Sequence, residues 1–252
     1  MIAAPVLPVD VRATALSKTF AGTPIFSDVS FGLSRNEAVA IVGANGTGKS
    51  TLLRCLMGLI PADSGDITVL GTDVRGASSS ALRAMRAQMG LVSQKHNLVP
   101  RMSVLSNVVH GLLGQRPGFR HWSHSFAPAA SRDAAMRALE KVGLAHLADR
   151  RADRLSGGQS QRVAIARALA GEPKILIADE PTASLDPAAG EVIMELFFSL
   201  ARQEGVTVIF ISHNIDHALR YGDRVLGLAA GQMQLDARAD SLTASELRGL
   251  YD

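Results

Sequence analysis

Gly43-Ala44-Asn45-Gly46-Thr47-Gly48-Lys49-Ser50 lies between a short apolar run, residues 37–42, and a stretch with Leu52, Leu53, Leu56 and Met57 at helical spacing. Strand, glycine-rich turn and helix in that order are the setting in which this spacing of glycines before Lys-Ser reads as a phosphate-binding loop. The glycines let backbone N–H groups point inward at phosphate oxygens, and the following helix N-terminus adds a favourable dipole. Lys49 places a positive charge on the outer phosphates, and Ser50 offers its hydroxyl to Mg²⁺. A glycine-rich turn that ends by chance in Gly-Lys-Ser has the letters without this setting.

Outward from the loop, period-2 stretches at 11–19 and 27–33 read as early strands. Pro61, Asp63, Ser64 and Gly65 mark a turn, and residues 67–70 and 89–93 read as further strands. From 103 to 167 the pattern is helical, broken at 114–131 by two prolines, two glycines, His121, Trp122 and His124. Residues 173–178 and 206–211 are buried strands. Between them, 187–204 is a helix with Val192, Ile193, Leu196, Phe197 and Leu200 on one face. Residues 224–228 and 233–235 form a terminal strand pair, and 241–251 a closing helix. Strands alternating with helices imply a parallel sheet in an α/β core, and the helical middle implies a subdomain inserted into it.

Composition narrows the class. The 252 residues, 47% hydrophobic, suffice for one domain or a domain with a subdomain. The single cysteine, Cys55, excludes an intramolecular disulfide and reads as a buried helical side chain. No apolar run approaches the ~20 residues of a membrane span. Residues 1–10 lack a basic start and carry two prolines, unlike a signal peptide. The expectation is a cytosolic chain that reaches a membrane only at its surface or through a partner. Net charge is +3, yet residues 95–162 carry 11 Lys/Arg against 4 Asp/Glu, while the remainder carries 15 against 19. Such a basic segment suits an anionic lipid surface, nucleic acid or an acidic partner; the plain alternative is a solvated helical face.

A second chemical signal is Ile175-Leu176-Ile177-Ala178-Asp179-Glu180, an apolar strand ending in two acids. Asp179 is expected to hold Mg²⁺, directly or through water, and Glu180 to polarise the water that attacks the γ-phosphate. A phosphate loop and an acidic strand end leave a kinase, a GTPase or a recombinase open. Leu155-Ser156-Gly157-Gly158-Gln159 removes most of that ambiguity. It precedes a helix carrying Arg162, Ile165 and Leu169, and so forms a second anion-binding helix N-terminus.

With these motifs in order, the sequence resembles the ABC ATPase family over nearly its whole length. Residues 43–50, with Thr51 after them, resemble Walker A; 155–159 the signature; 175–179 Walker B, followed by Glu180 as catalytic base. Gln94 resembles the Q-loop glutamine, Ser184-Leu185-Asp186 the D-loop, His213 the switch histidine, and Phe20 the aromatic that stacks on adenine, with Phe26 nearby as a rival. The resemblance implies an α/β P-loop (RecA-like) core with a mainly parallel sheet, an N-terminal antiparallel β subdomain and an inserted α-helical subdomain. The core is expected at 1–93 and 163–252, and the helical signature lobe at 94–162.

It further implies ATP and Mg²⁺ as ligands, held by Phe20, the loop residues Gly43, Ala44, Asn45, Gly46, Thr47, Gly48, Lys49, Ser50 and Thr51, and the signature residues Ser156, Gly157, Gly158 and Gln159. Ser50, Gln94 and Asp179 would hold the metal; Glu180, His213 and Gln94 would serve catalysis. Two copies would close head to tail over two ATPs, with Asp186 linking the sites. Ser160 and Asn36 depart from the common family residues at positions that do not touch phosphate.

The resemblance narrows at Asn97-Leu98-Val99, at 104–108, at 111–114, at the insertion 118–126 and at 213–221, which resemble the phosphonate importer ATPases. It implies a separate subunit on the cytoplasmic face of the cell membrane. Its partners would be membrane permease subunits and, indirectly, a substrate-binding protein, with no nucleic acid. The cargo would be a phosphonate, phosphite or phosphate. Alternatives are an ABC ATPase of lipoprotein extraction or cell division, a nucleic-acid-linked ABC ATPase, and a plain P-loop kinase. Only about a hundred residues separate Ser50 from Leu155, without the sustained heptads of the repair and chromosome classes.

Overall fold

The computed structural model describes residues 8–115 and 119–251. In chain order its first elements are β1 (Val9–Phe20), β2 (Thr23–Ser34), β3 (Ala38–Val42), α1 (Lys49–Leu56), β4 (Ser64–Val69), β5 (Thr72–Asp73), α2 (Ser79–Arg86), β6 (Met89–Ser93) and α3 (Val104–Val109). The rest are α4 (Ala129–Lys141), α5 (Gly157–Leu169), β7 (Ile175–Asp179), α6 (Pro187–Gln203), β8 (Thr207–Ile211), α7 (Ile215–Tyr221), β9 (Arg224–Ala229), β10 (Gln232–Arg238) and α8 (Ala244–Arg248). They fall into two compact units, one from 1–85 and 207–252, the other from 86–206.

The first unit holds two sheets. In the antiparallel one, β1 pairs with β2 on one side and β4 on the other, and β5 pairs with β4. Ala21 and Gly22, both at positive φ, close the two-residue turn between β1 and β2, as the right-handed twist of a tight hairpin requires. In the second sheet β3 lies parallel between β8 and β9, and β10 runs antiparallel along β9. All five residues of β3 and of β8 are buried, as in parallel strands covered on both faces. Polar anchors fix this end of the sheet. The Asp223 carboxylate accepts from the Ala38 N–H at 2.8 Å, and buried Thr207 donates its hydroxyl to buried Asp10 at 2.7 Å. Cys55 is buried in α1, and burial pushes its thiol up to about 11, which leaves it an inert core residue.

In the second unit β6 and β7 run parallel, in register Met89 to Ile175 through Ser93 to Asp179. Helix α5 is buried along most of its length and packs against α3, α4, α6 and β6. Here the structure corrects the reading of 103–167 as helical on either side of the 114–131 break. Helix α3 is only six residues, and 145–147 and 152–154 are single 3₁₀ turns. Gly143, at φ 73°, ends α4, and the chain then folds back along α3. Arg150 and Ala148 carbonyls take the N–H groups of Val104 and Leu105, each at 2.8 Å, donors that a helix start leaves without intrahelical partners. Helix α2 and the two-residue β5 are additions to the sequence reading. Of α2 only Met85 is buried, so it shows no broad apolar face. The expected insertion at 118–126 contains a 3₁₀ turn at Phe119–Trp122; its first residue, Gly118, and residues 1–7 lie outside the described residues.

Candidate functional site

The glycine-rich loop leaves β3 and wraps into the start of α1. Gly43 has φ 141°, and a Cβ there would stand 2.0 Å from the Leu228 carbonyl oxygen. Gly48 is the N-cap of α1 in the left-handed region, φ 96°, where a Cβ would meet Ile25 Cγ2 at 2.9 Å. Both positions need glycine for backbone and for space. No side chain caps α1, so its first N–H groups are not claimed by a capping residue. Lys49 is buried, and its ammonium donates to the carbonyls of Gly43 and Ala44, each at 2.8 Å. Thr47 closes the loop with a hydroxyl bond to the Ala44 carbonyl at 3.0 Å. The result is a curled backbone with a cation at its centre, the arrangement that receives a polyphosphate.

Because β3 and β8 are parallel neighbours, their carboxyl ends share one edge of the sheet. His213 follows β8 at the edge where the loop follows β3, the usual place for a ligand on an open α/β sheet. The backbone around exposed His213 is fixed: the Ser212 hydroxyl bonds the Asn214 carbonyl and accepts its N–H, both at 3.1 Å, and Asn214 caps α7. Of the two candidate aromatics, Phe26 is in the core at 1% exposure, whereas Phe20 is 46% exposed with the Lys18 ammonium 5.1 Å from its ring. Only Phe20 has a face to offer.

In the second unit, the register that sets Ser93 against Asp179 brings Gln94 alongside Asp179 and Glu180 at one strand end. Glu180 has φ 52°, a left-handed backbone that costs a non-glycine residue roughly 1 kcal/mol. The chain after Gln94 is held by contacts that residue types alone do not announce. Arg167, in the last turn of α5, donates to the carbonyls of Asn97 at 2.7 Å and His96 at 2.8 Å. Burial pushes the Arg167 guanidinium down from its usual value, though it stays charged. Burial first, and the Arg167 charge second, hold His96 below the usual histidine value. Asn107, fully buried, accepts from the Val99 N–H at 2.7 Å and donates to the Val99 and Ser103 carbonyls. A cavity of about 330 Å³ lies against this segment, lined by His96, Asn97, Leu98, Pro100, Asp153 and Ser160 among others.

Ser156 caps α5 with a reciprocal pair: its hydroxyl accepts from the Gln159 N–H at 3.3 Å, and the Gln159 carboxamide oxygen accepts from the Ser156 N–H at 3.1 Å. That box satisfies two donors and leaves those of Gly157 and Gly158 at the helix mouth. A Cβ at Gly158 would meet nothing within 4 Å, whereas Leu185 lies against Gly157, so the signature and the 184–186 turn touch. Asp186 caps α6, accepting from the Ala189 N–H at 2.9 Å, with Pro187 at the first helical position. The donors expected for a metal, Ser50, Gln94 and Asp179, are all oxygen ligands with a single carboxylate. No group of three His, Cys, Asp or Glu side chains is gathered for a metal among the described residues. This is the set for a hard ion that arrives with phosphate, as Mg²⁺ does, and a poor one for a dedicated all-protein cage.

A sequence profile described as ABC transporter matches residues 26–183, more than half of the chain. The phosphonates import ATP-binding protein PhnC of Stutzerimonas stutzeri is 44% identical over 246 residues, covering 96% of this chain and 89% of that one. The phosphate-import ATP-binding protein PhnC of Mycolicibacterium smegmatis is 45% identical over 241 residues, covering 96% and 91%. Among solved structures, cbiO1 of Clostridium perfringens, part of the ABC transporter complex cbiONQ, superposes with a TM-score of 0.82 at 30% identity, covering 95% and 92%. A dimeric, post-hydrolysis state of the ATP-binding cassette MJ0796 bound to ADP and Pi gives 0.78 at 31%, covering 91% and 98%.

Proposed function

The chain belongs to the ABC transporter family, and on that premise we propose that it is the ATPase subunit of a bacterial importer for a phosphonate or a related phosphorus oxyanion, phosphite or phosphate. It binds ATP, and its hydrolysis is coupled to transport, as in the family. The cargo reading is carried by one observation: relatives named for phosphonate and phosphate import align at 44–45% identity over 96% of this chain.

In this reading residues 94–162 act as the signature lobe against a core of 1–93 and 163–252. Phe20 stacks on adenine. Lys49 leaves the Gly43 and Ala44 carbonyls for the outer phosphates, and the N–H groups of Gly46, Gly48 and the start of α1 cradle them. Mg²⁺, held by Ser50, Asp179 and Gln94, would supply charge neutralisation at the phosphates. Glu180 orients water for in-line attack, and His213 donates to the γ-phosphate as charge develops. Gly157 and Gly158, at the capped mouth of α5, offer N–H groups to the nucleotide of a second copy packed head to tail. Asp186, beyond capping α6, stands next to that junction through Leu185.

The permease partner is supported by the 330 Å³ cavity beside 95–100, which suits a short helix of a membrane subunit. None of the described helices is long and apolar enough to cross a membrane, so attachment to the cytoplasmic face would run through that partner. ATP hydrolysis by the complex assembled with its membrane subunits and binding protein tests the reading, with Glu180→Gln as the blank. Stimulation by a phosphonate, phosphite or phosphate is expected. Basal turnover that none of the three moves would overturn the cargo.

A further inference from the structure

Trp122 and Phe126 are the most exposed large apolar side chains among the described residues, at 67% and 72%. A lone exposed aromatic is ordinary. Two of them four residues apart, on a segment whose His121 and His124 side chains are bonded to serine hydroxyls, are not.

The turn is anchored along its length. Buried His121 places Nε2 3.0 Å from the Ser131 hydroxyl. His124 Nδ1 lies 3.0 Å from Ser103 Oγ and 2.9 Å from Ser106 Oγ, and the His124 N–H donates to Ser106 Oγ at 3.1 Å. The Trp122 carbonyl accepts from His110 Nε2 at 3.0 Å, and Ala127 is buried. The His121 and His124 side chains therefore bond to serines of neighbouring elements while Trp122 and Phe126 stay in water. A segment folding only for itself would pack the other way round.

We propose that Trp122 and Phe126 form an interfacial anchor that dips into an anionic phospholipid surface beside the permease. Charge decides between lipid and protein as the occupant. The stretch 95–162, which carries both rings, has an excess of seven positive charges, while the rest of the chain has an excess of four negative ones. An anionic surface attracts this stretch, whose charge has the opposite sign to that of the remainder. Trp and Phe beside basic residues are the side chains that settle at the headgroup boundary. Two rings give weak, reversible attachment, enough to add to a protein contact without replacing it. The proposal draws on the importer reading only for the presence of a membrane, and its test needs no transport.

Trp122 is the chain's only tryptophan, so its fluorescence reports on the anchor without a label. The purified full chain is mixed with vesicles of phosphatidylglycerol and phosphatidylcholine, or of phosphatidylcholine alone. A blue shift of the emission and quenching by bromine-labelled lipid are expected with the anionic vesicles, weakening as salt rises. Trp122→Ser/Phe126→Ser is expected to lower vesicle co-sedimentation roughly tenfold with ATP hydrolysis intact, and Leu59→Ser, another exposed apolar site, to leave it unchanged. An emission spectrum unmoved by anionic vesicles overturns the anchor. So does a shift equal on neutral vesicles, co-sedimentation that survives the double substitution, or a shift that appears only when permease subunits are reconstituted, which would give the rings to a protein partner.

Discussion

Arg167 joins the signature helix to the segment after Gln94 through two carbonyl bonds from one planar group. Lysine presents a single ammonium and cannot make the same fork, so Arg167→Lys is expected to rescue Arg167→Met only in part. Removing the fork leaves two carbonyls short of a donor, at roughly 1.5–3 kcal/mol. Amide exchange over 95–100 should quicken, and kcat should fall severalfold while ATP affinity holds, since Arg167 positions the chain beyond Gln94 and touches no part of the phosphate loop. A merely structural arginine would not split the two constants. Lys49→Ala should lower ATP affinity at least about tenfold, read by titration with a fluorescent nucleotide; unaltered binding would remove Lys49 from the phosphates. Lys49, Asp179 and Glu180 stand out in the sequence because each belongs to a motif of consecutive residues. Arg167 does not, because it serves backbone carbonyls, which every residue carries and no sequence pattern marks.

Among the elements, α6 was read almost to its ends because Asp186 and Pro187 mark a helix start in the chain itself. The stretch 143–156 was misread because buried Leu144, Ala148 and Ala152 fall at helical spacing. What they follow is a folded-back strand of turns bound to α3, a tertiary pairing that periodicity cannot distinguish from a helix. The capping box on α5 separates stability from chemistry. Ser156→Ala loses the cap and should cost about 1 kcal/mol, visible as a drop in Tm of roughly 2–4 °C. Ser156→Asp keeps a capping oxygen, so Tm should hold. It also sets a carboxylate where the second copy's phosphate is proposed to lie, so hydrolysis should fall by more than about tenfold. If Ser156→Asp turns over normally, the mouth of α5 faces no phosphate.

For the molecule as a whole, acid stability follows from carboxylates held below their usual range. Asp63 is lowered first by its bond from Lys18, then by the Thr19 N–H; Asp240 by Arg238; Glu246 by Thr243. A folded-state value below the unfolded one means stability that is whole above the unfolded value of ~4 and lost as pH falls through the folded one. Asp63→Asn should therefore lower Tm near neutrality, and the gap to the unaltered protein should close as the solution is acidified below pH ~4. A gap constant with pH would mean that the Lys18 pair contributes through packing alone. The α/β class was legible from the alternation of strands and helices. The division into 1–85 with 207–252 and a continuous 86–206 depends on which distant segments meet. That division has a temporal side. Strand β3 leaves the ribosome early, yet both of its neighbours, β8 and β9, follow more than 160 residues later. The stretch 86–206 is continuous, so its internal contacts are all available while β3 waits, fully apolar and with both edges open. A nascent chain arrested before residue 207 should therefore be sticky and protease-sensitive around β3 but already protected around α5. The interval between making the phosphate loop and making the strands that hold it is where aggregation is expected.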